Sequence, residues 1–119
     1  MTLYCYPRCS TCREAARWLD EHDISYESVD IRTHPPDVET LRQIHKHSQL
    51  PLKRLFNTSG NSYRELGLAR TFDDTAPEEL LHLLSQDGML IKRPIIRTDE
   101  RVLIGFHPDI WELHLPEKK

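Results

Sequence analysis

Positive charge is not in excess in this 119-residue sequence. Sixteen lysine and arginine residues stand against nineteen aspartate and glutamate residues, which leaves a formal net charge of -3 at pH 7. Proteins that bind nucleic acid through its phosphates need a basic surface. The charge balance therefore predicts no direct binding to DNA or RNA.

Long apolar runs are also missing, and the sequence enters a strand-like segment at Met1 with no leader-like stretch before it. A membrane-spanning helix needs about 20 predominantly apolar residues, and a secretory signal has an apolar core behind a positively charged start. We therefore expect no membrane contact and a cytoplasmic location. Thiols in that compartment stay reduced unless they are used for chemistry.

Cysteine is scarce. The chain has three, Cys5, Cys9 and Cys12, all within the first dozen residues. So few and so clustered, they do not form a disulfide scaffold, and a chain of this length can bury the core of a single domain without cross-links. The cysteines therefore predict a functional site.

Two of the cysteines form a Cys-x-x-Cys motif in the stretch YPRCSTCR, residues 6–13, where a strand-like segment meets an amphipathic one. Unpaired N–H groups and the dipole at a helix start stabilise a thiolate, and such placements lower a thiol pKa from about 8.5 to as low as ~3.5. Arg8 and Arg13 flank the motif and act in the same direction. We expect Cys9 to be the nucleophile and Cys12, one helical turn on, to be its redox partner.

A zinc site is the alternative for such a motif, and it needs a second pair of ligands at similar spacing. The candidate pair is His45 and His47, but their spacing places them on different faces of a helix. The motif therefore favours redox chemistry, and we expect no metal.

Apolar spacing predicts an α/β order of elements that begins with strand, helix and strand. Residues 2–6 alternate as a short strand, residues 10–23 carry the apolar face of a helix, and residues 24–31 are rich in β-prone side chains. Two strands of one sheet joined by a crossover helix form a parallel, right-handed βαβ unit. In this context a Cys-x-x-Cys motif indicates thiol redox chemistry.

The middle of the chain, approximately residues 37–87, predicts a helical insert within the single domain. Its signals are a helix capped by Asp37, a short helix from Pro51, a turn at 57–60, a helical turn at 63–68 and a helix over 75–86. Strands at 90–96 and 102–106 then predict a hairpin, followed by a helix at 109–115, and residues 117–119 are expected to fray. The whole order predicts a thioredoxin-like plan, βαβ followed by ββα in a four-stranded mixed sheet.

Pro94 lies within the segment 90–96 and stands in the place of the residue that precedes the third strand of the thioredoxin plan. In the thioredoxin plan this residue is commonly a cis-proline packed against the redox cysteine. The alternative is a trans-proline that starts an edge strand, where the missing N–H does no harm. Only about one X–Pro bond in twenty is cis, so the residues alone leave both conformations open.

Three ordered motifs carry a resemblance to a known family. They are YPRCSTCR at 6–13, FNTSG at 56–60 with YRELGL at 63–68, and DGMLIKRPI at 87–95. Together they resemble the glutaredoxin-linked arsenate reductase (ArsC-like) superfamily, and most closely its branch of small bacterial proteins grouped with the Spx/MgsR regulators. The resemblance covers essentially the full chain and implies a thioredoxin-like fold with a helical insert and a cis Pro94.

The resemblance also assigns roles to particular residues. The active-site cysteine of the arsenate reductases corresponds to Cys9, and three arginines gather the oxyanion around it. Arg93 matches one of these, Asn57 occupies the place of the second, and the third place, around residues 105–107, has no arginine. The resemblance therefore implies that Arg93 and Asn57, with Arg8 and Pro94 beside them, support a thiol site whose oxyanion clamp is largely dismantled.

The same comparison separates three functions. The family usually carries a non-cysteine at the position of Cys12 and a histidine at that of Cys5. We therefore rank first a thiol-redox protein that needs no bound cofactor and is reduced by glutathione, glutaredoxin or thioredoxin. Second is a redox-sensing regulator of the Spx type, which would contact the α subunit of RNA polymerase, and third is authentic arsenate reduction.

Overall fold

The structure, a computed structural model, describes residues 1–115. Its helices and strands are, in order, β1 (Thr2–Cys5), α1 (Ser10–Glu21), β2 (Glu27–Asp30), α2 (Val38–Ser48), α3 (Asn61–Glu65), α4 (Leu68–Thr71), α5 (Pro77–Gln86), β3 (Ile95–Arg97), β4 (Val102–Ile104) and α6 (Pro108–His114). Short 3-10 turns occupy Leu52–Leu55, Phe72–Asp74 and Gly88–Leu90. None of the helices within residues 1–115 has the length and apolar character needed to cross a membrane. The expectation for residues 117–119 lies outside the described residues.

The four strands form one mixed sheet in the order β2-β1-β3-β4. The β1 and β2 strands are parallel, and the β1–β3 and β3–β4 pairs are antiparallel. This arrangement confirms the predicted four-stranded mixed sheet, with the βαβ unit before the hairpin. It also places β2 at an edge, in agreement with its polar composition.

Apolar side chains on the two faces of the sheet form two separate cores, because successive residues of a strand point to opposite faces. The core under α1 and α6 has the buried members Leu3, Cys5, Cys12, Ala15, Leu19, Ile24, Ile96, Trp111 and Leu115. The core under α2 to α5 includes Tyr4, Ile31, Leu41, Phe56, Leu80, Leu84 and Ile95. The sheet thus separates the helical segment from the cysteine-bearing helix.

All four strands are shorter than predicted, and the first ends at Cys5 rather than at Tyr6. The second is limited to Glu27–Asp30, and the third begins only at Ile95 because Gly88–Leu90 form a 3-10 turn and the Arg93–Pro94 peptide bond is cis. The fourth ends at Ile104 because Gly105 has a φ of +85°, a left-handed conformation that does not continue a strand. The cis conformation of Pro94 agrees with the resemblance.

The helical turn predicted at residues 63–68 is instead part of two helices, α3 and α4. Gly67, with a φ of +68°, separates them. The left-handed conformation ends the first helix, as glycine commonly does after a helix C-terminus. The other predicted helices begin within two residues of their sequence signals, including α2 after its cap Asp37, whose side chain accepts a hydrogen bond from the Thr40 N–H.

Replacing Gly88 by alanine is expected to destabilise the fold by about 1–3 kcal/mol or more, since it inserts volume into a packed site. A Cβ atom at Gly88 would lie 1.7 Å from the carbonyl oxygen of Ile31. That oxygen cannot withdraw easily, because Ile31 is fully buried and its N–H donates to the Cys5 carbonyl oxygen. Urea unfolding monitored by circular dichroism measures the loss.

Gly67→Ala is the matched control for this prediction. Gly67 has a positive φ, but a Cβ atom there would meet nothing within 4 Å. Gly67→Ala should therefore lower the free energy of unfolding by only about 1–2 kcal/mol, which is the cost of left-handed backbone for an L-residue. Equal losses for the two variants would mean that the close approach at Gly88 is relieved by backbone movement.

Candidate thiol site

Cys9 lies at the junction between the loop after β1 and the start of α1. It is the N-cap residue, with extended backbone, and no side-chain cap hydrogen bond forms there. The Cys9 N–H donates to the Tyr6 carbonyl oxygen at 2.9 Å, and the Arg13 N–H donates to the Cys9 carbonyl oxygen at 3.0 Å. Cys9 therefore lies directly before the helix, as predicted, and Cys12 lies within the first turn.

The three thiols differ in exposure. Cys9 is partly exposed, whereas the exposed fractions of Cys12 and Cys5 are 3% and 6%. A motif at a helix start would be expected to expose both of its thiols, and this expectation is wrong for Cys12. Cys12 shares the inward face of α1 with Ala15 and Leu19, three and seven residues on, and this helical spacing directs it to the sheet.

Several groups act on the sulfur of Cys12. The Tyr6 N–H donates to Cys12 Sγ at 3.3 Å, and the neighbouring thiols of Cys5 and Cys9 both lower the pKa of Cys12. The Cys5 thiol makes the largest contribution to lowering the pKa of Cys12, which falls to about 7 although burial acts in the opposite direction. The site therefore stabilises a thiolate at Cys12.

The pKa of the Cys5 thiol moves in the opposite direction and is raised. The neighbouring Cys12 thiol is the first cause that raises the pKa of the Cys5 thiol, and burial is the second. The pKa values of the two buried thiols therefore move in opposite directions, up for Cys5 and down for Cys12.

Arg93 brings a positive charge to this cluster. Its charge lowers the pKa of both Cys5 and Cys12. Nη1 of Arg93 donates to the carbonyl oxygens of Met89 at 3.2 Å and Ile91 at 3.3 Å, and the guanidinium carbon lies 5.7 Å from the centre of the Tyr6 ring. The Nε atom is buried and has no hydrogen-bond partner within residues 1–115. These contacts hold the guanidinium beside the loop that carries the motif.

The other predicted site residues occupy less central positions. Arg8 and Arg13 are exposed, and Arg13 Nη1 donates to the Pro7 carbonyl oxygen at 3.4 Å. Pro94 is buried, and its carbonyl oxygen accepts the Gly105 N–H at 2.8 Å. The structure therefore brings Arg93 to the thiols and keeps Arg13 at the rim of the loop.

Asn57 lies in the turn that the sequence predicts at residues 57–60. Its carbonyl oxygen accepts the Gly60 N–H at 3.1 Å, and its Oδ1 accepts the Ser59 hydroxyl at 3.5 Å. Its own N–H donates to the Leu90 carbonyl oxygen at 2.8 Å. Asn57 thus joins its turn to the segment that precedes Arg93.

His45 and His47, considered as partners for a zinc site, lie in the last turn of α2. The cysteines lie instead where β1 meets α1. Within residues 1–115, no group of three or more His, Cys, Asp or Glu side chains could hold a metal ion.

Two contributors to the site were not assigned a role from the sequence, Cys5 and Tyr6. Cys5 alternates with Tyr4 on β1 and therefore points to the same core as the inward face of α1. Combining the strand period with the helix period would have placed Cys5 beside Cys12. The contact of the Tyr6 N–H with Cys12 has no such signal, because it depends on the path of the loop.

These features define a thioredoxin-like protein: a Cys-x-x-Cys motif at the start of the first helix, a cis-proline before the third strand and a mixed sheet in the order β2-β1-β3-β4. The model of the ArsC family matches residues 4–113. The chain belongs to the ArsC family, which confirms the resemblance drawn from the motifs.

Individual relatives agree with this membership. The chain is 45% identical over 112 residues to the uncharacterised protein YusI of Bacillus subtilis, covering 94% of this chain and 95% of YusI. It is 31% identical over 116 residues to the global transcriptional regulator Spx of Streptococcus agalactiae, covering 98% of this chain and 83% of Spx. Of these two relatives, Spx is named for a role in regulating transcription, and YusI is uncharacterised.

Solved structures share the fold. A protein of Bacteroides fragilis described as related to the ArsC family superposes with a TM-score of 0.90 at 42% identity and 94% coverage of each chain. An arsenate reductase of Vibrio cholerae superposes with a TM-score of 0.86 at 23% identity, covering 97% of this chain and 98% of its own. The second likeness concerns the fold alone.

Proposed function

We propose that this chain is a thiol–disulfide exchange protein in which Cys9 is the nucleophile and Cys12 the resolving thiol. The observation that carries this proposal is the asymmetry of the pair. Cys9 is the partly exposed thiol at the start of α1, whereas Cys12 is buried and its pKa is lowered to about 7. An external disulfide can reach Cys9 only, and Cys12 is held in place to complete the reaction.

The exchange proceeds in two steps. Cys9 Sγ attacks one sulfur of an external disulfide while its proton passes to Cys12 Sγ; the external S–S bond breaks, and the leaving sulfur departs as a thiolate that takes a proton from water. Cys12 then loses its proton to water and attacks Cys9 Sγ, which releases the second external sulfur as a thiolate. Two external sulfurs are reduced, and two protein thiols are oxidised to the Cys9–Cys12 disulfide.

A reducing partner is needed to return the pair to its thiol form. Glutathione, glutaredoxin and thioredoxin provide thiols of the required class in a reducing compartment such as the cytoplasm. The loop closed by Cys9 and Cys12 is very short, so the bond adds little stability through the unfolded chain. A readily reversed disulfide fits an exchange function better than a structural one.

Cys12→Ser is expected to trap the intermediate of this reaction. Attack by Cys9 still occurs, but a serine hydroxyl cannot displace the external thiol, so a mixed disulfide with glutathione accumulates at Cys9. Mass spectrometry after treatment with oxidised glutathione measures the adduct. Cys5→Ser/Cys12→Ser serves as control, because it removes Cys5 as a substitute resolving thiol. A wild-type protein that keeps both motif cysteines as free thiols would contradict the proposal.

A regulatory function is the second candidate, and the relatives named Spx favour it. They match 98% of this chain at 28–31% identity, although this chain covers only 83–86% of them. In this case oxidation of Cys9 and Cys12 would change the affinity for a partner such as the RNA polymerase α subunit. Binding of purified α subunit to the reduced and oxidised protein separates this function from exchange with small thiols.

A further inference from the structure

We propose that exposed cations around Cys9 select small disulfides that carry carboxylates. The cations are Arg8 and Arg13 in the motif loop, with Arg54 and Lys92 in two segments that meet beside Arg93; we call these four the basic rim. This inference rests on the proposed function and names the class of disulfide that Cys9 attacks. It assigns a use to Arg54 and Lys92, which have no role in the exchange chemistry itself.

A contact between distant segments brings Arg54 and Lys92 together. Phe56 and Ile91 form an antiparallel bridge, and the Lys92 N–H donates to the Leu55 carbonyl oxygen at 2.8 Å. Arg54 directly precedes Leu55, and the side chains of Arg54 and Lys92 are both exposed. The fold therefore places two like charges on neighbouring stretches of backbone.

Arg93 connects these two segments to the loop that carries the thiols. It directly follows Lys92, and its guanidinium carbon lies 5.7 Å from the centre of the Tyr6 ring. The Tyr6 carbonyl oxygen accepts the Cys9 N–H at 2.9 Å, and the Tyr6 N–H donates to Cys12 Sγ at 3.3 Å. Lys92 is thus next in sequence to the residue whose side chain reaches the thiol loop.

Arg8 and Arg13 add positive charge from within the loop itself. Arg8 directly precedes Cys9, and both arginines are exposed. The hydrogen bond from Arg13 Nη1 to the Pro7 carbonyl oxygen, at 3.4 Å, turns this guanidinium back towards the loop. Cys9 is the partly exposed thiol of the three. A disulfide that reaches Cys9 therefore meets cations from the loop and from the segments around Arg93.

No carboxylate within residues 1–115 forms an ion pair with the basic rim. The ion pairs in this part of the chain join Arg42 to Glu39 and to Glu78, on α2 and α5. The formal net charge of the whole chain is -3, so the basic rim is a local excess of positive charge on an acidic protein. Like charges placed together repel one another, but they attract an anion and speed its encounter with the site. The arrangement therefore fits a disulfide with carboxylates better than a neutral or cationic one.

Reversing charge at Arg54 and Lys92 is expected to slow the reaction with anionic disulfides selectively. One unit charge at about 10 Å in water changes the local concentration of a singly charged anion by about twofold. At low ionic strength, Arg54→Glu and Lys92→Glu should each lower the ratio of the rates with anionic dithiobis(nitrobenzoate) and neutral dithiodipyridine by about three- to fourfold. The double variant should lower this ratio by about tenfold. At 1 M salt, where the Debye length is about 3 Å, all ratios should agree within about twofold.

Lys46→Glu is the matched control for each single variant. Lys46 is exposed in the last turn of α2, a helix on the other face of the sheet from α1, so the same change of charge lies away from Cys9. Each ratio is taken within one protein, so a change in the reactivity of the thiol cancels. Arg54→Gln/Lys92→Gln, which should lower the ratio by about three- to fourfold, replaces the double reversal if that variant does not fold.

Alkylation of Cys9 gives a second measurement that does not depend on disulfide exchange. Iodoacetate is anionic and iodoacetamide is neutral, and both modify a thiolate by the same displacement. The ratio of their rates at Cys9, followed by mass spectrometry, should fall in the Arg54 and Lys92 variants and stay unchanged in Lys46→Glu. Cationic cystamine should show the opposite trend to dithiobis(nitrobenzoate) in exchange.

The outcomes distinguish this inference from the function on which it rests. Disulfide ratios in Arg54→Glu and Lys92→Glu that equal the ratio in Lys46→Glu would overturn the selection of anionic disulfides, whatever the alkylation ratios. A lowered alkylation ratio, together with no thiol release from any disulfide by the wild-type protein, would show that the basic rim attracts anions and would overturn the exchange function. Lowered ratios with both pairs of reagents, converging at high salt, support the selection and the exchange function together.

Discussion

Cys9→Ser is expected to lower the rate of thiol–disulfide exchange by roughly three orders of magnitude or more, as loss of a covalent nucleophile does in other enzymes. A serine hydroxyl is not ionised near neutral pH and does not attack disulfides. The remaining thiols cannot substitute readily, because the exposed fractions of Cys12 and Cys5 are only 3% and 6%. The rate of reduction of a small mixed disulfide, with glutathione as the final reductant, measures the loss.

Cys12→Ser provides the internal comparison for this variant. It has the same change of sulfur to oxygen, but it keeps the partly exposed nucleophile, so it should still react once with an external disulfide. Differential alkylation with iodoacetamide adds a direct measure, since Cys9 should be labelled in preference to the two buried thiols. Preferential labelling of Cys12, or equal activity of the two serine variants, would remove the basis for assigning Cys9 as the nucleophile.

Arsenate turnover is expected to be two to four orders of magnitude weaker than in an arsenate reductase with three clamp arginines. Each missing charge-assisted hydrogen bond costs about 1.5–3 kcal/mol, so two missing arginines account for roughly this loss in capture. Asn57, which the family resemblance places at the second arginine, makes its described contacts within its turn and with Leu90. At the place of the third arginine that the resemblance implies, residues 105–107 are glycine, phenylalanine and histidine.

Initial rates at micromolar to low-millimolar arsenate, with glutathione and glutaredoxin, test this prediction. Arsenate reductase from Vibrio cholerae, which shares the fold, is a suitable reference measured in parallel. Arg93→Lys is the informative variant, because it keeps the charge near the thiols but loses the planar fork that binds an oxyanion. Turnover comparable to the reference would show that other side chains replace the clamp.

Much of the fold was predictable because local signals agreed with the final arrangement. The alternation of residues 2–6, the helix start after Cys9 and the proline within the first turn of α5 all gave elements of the correct type. The cis conformation of Pro94 was different. It followed from the family resemblance, since the residues alone left both conformations open.

Strand lengths and thiol burial were not predictable in the same way. The β3 strand begins late because of backbone contacts between distant segments: the Lys92 N–H donates to the Leu55 carbonyl oxygen at 2.8 Å. Cys12 is buried because α1 packs on the sheet beside α6, where Trp111 is fully buried and its Nε1–H donates to the Gly105 carbonyl oxygen. Such contacts between distant segments cannot be predicted from a short window of sequence.

The cysteine cluster depends on which residues of β1 face each side of the sheet. This strand has only four residues, and neighbouring residues Tyr4 and Cys5 point into different cores. A shift of the chain by one position would exchange the two faces, placing a phenol among the thiols and a thiol among the side chains of α2 to α5. A single inserted or deleted residue between Thr2 and Cys5 would thus dismantle the cysteine cluster while leaving every cysteine in the protein.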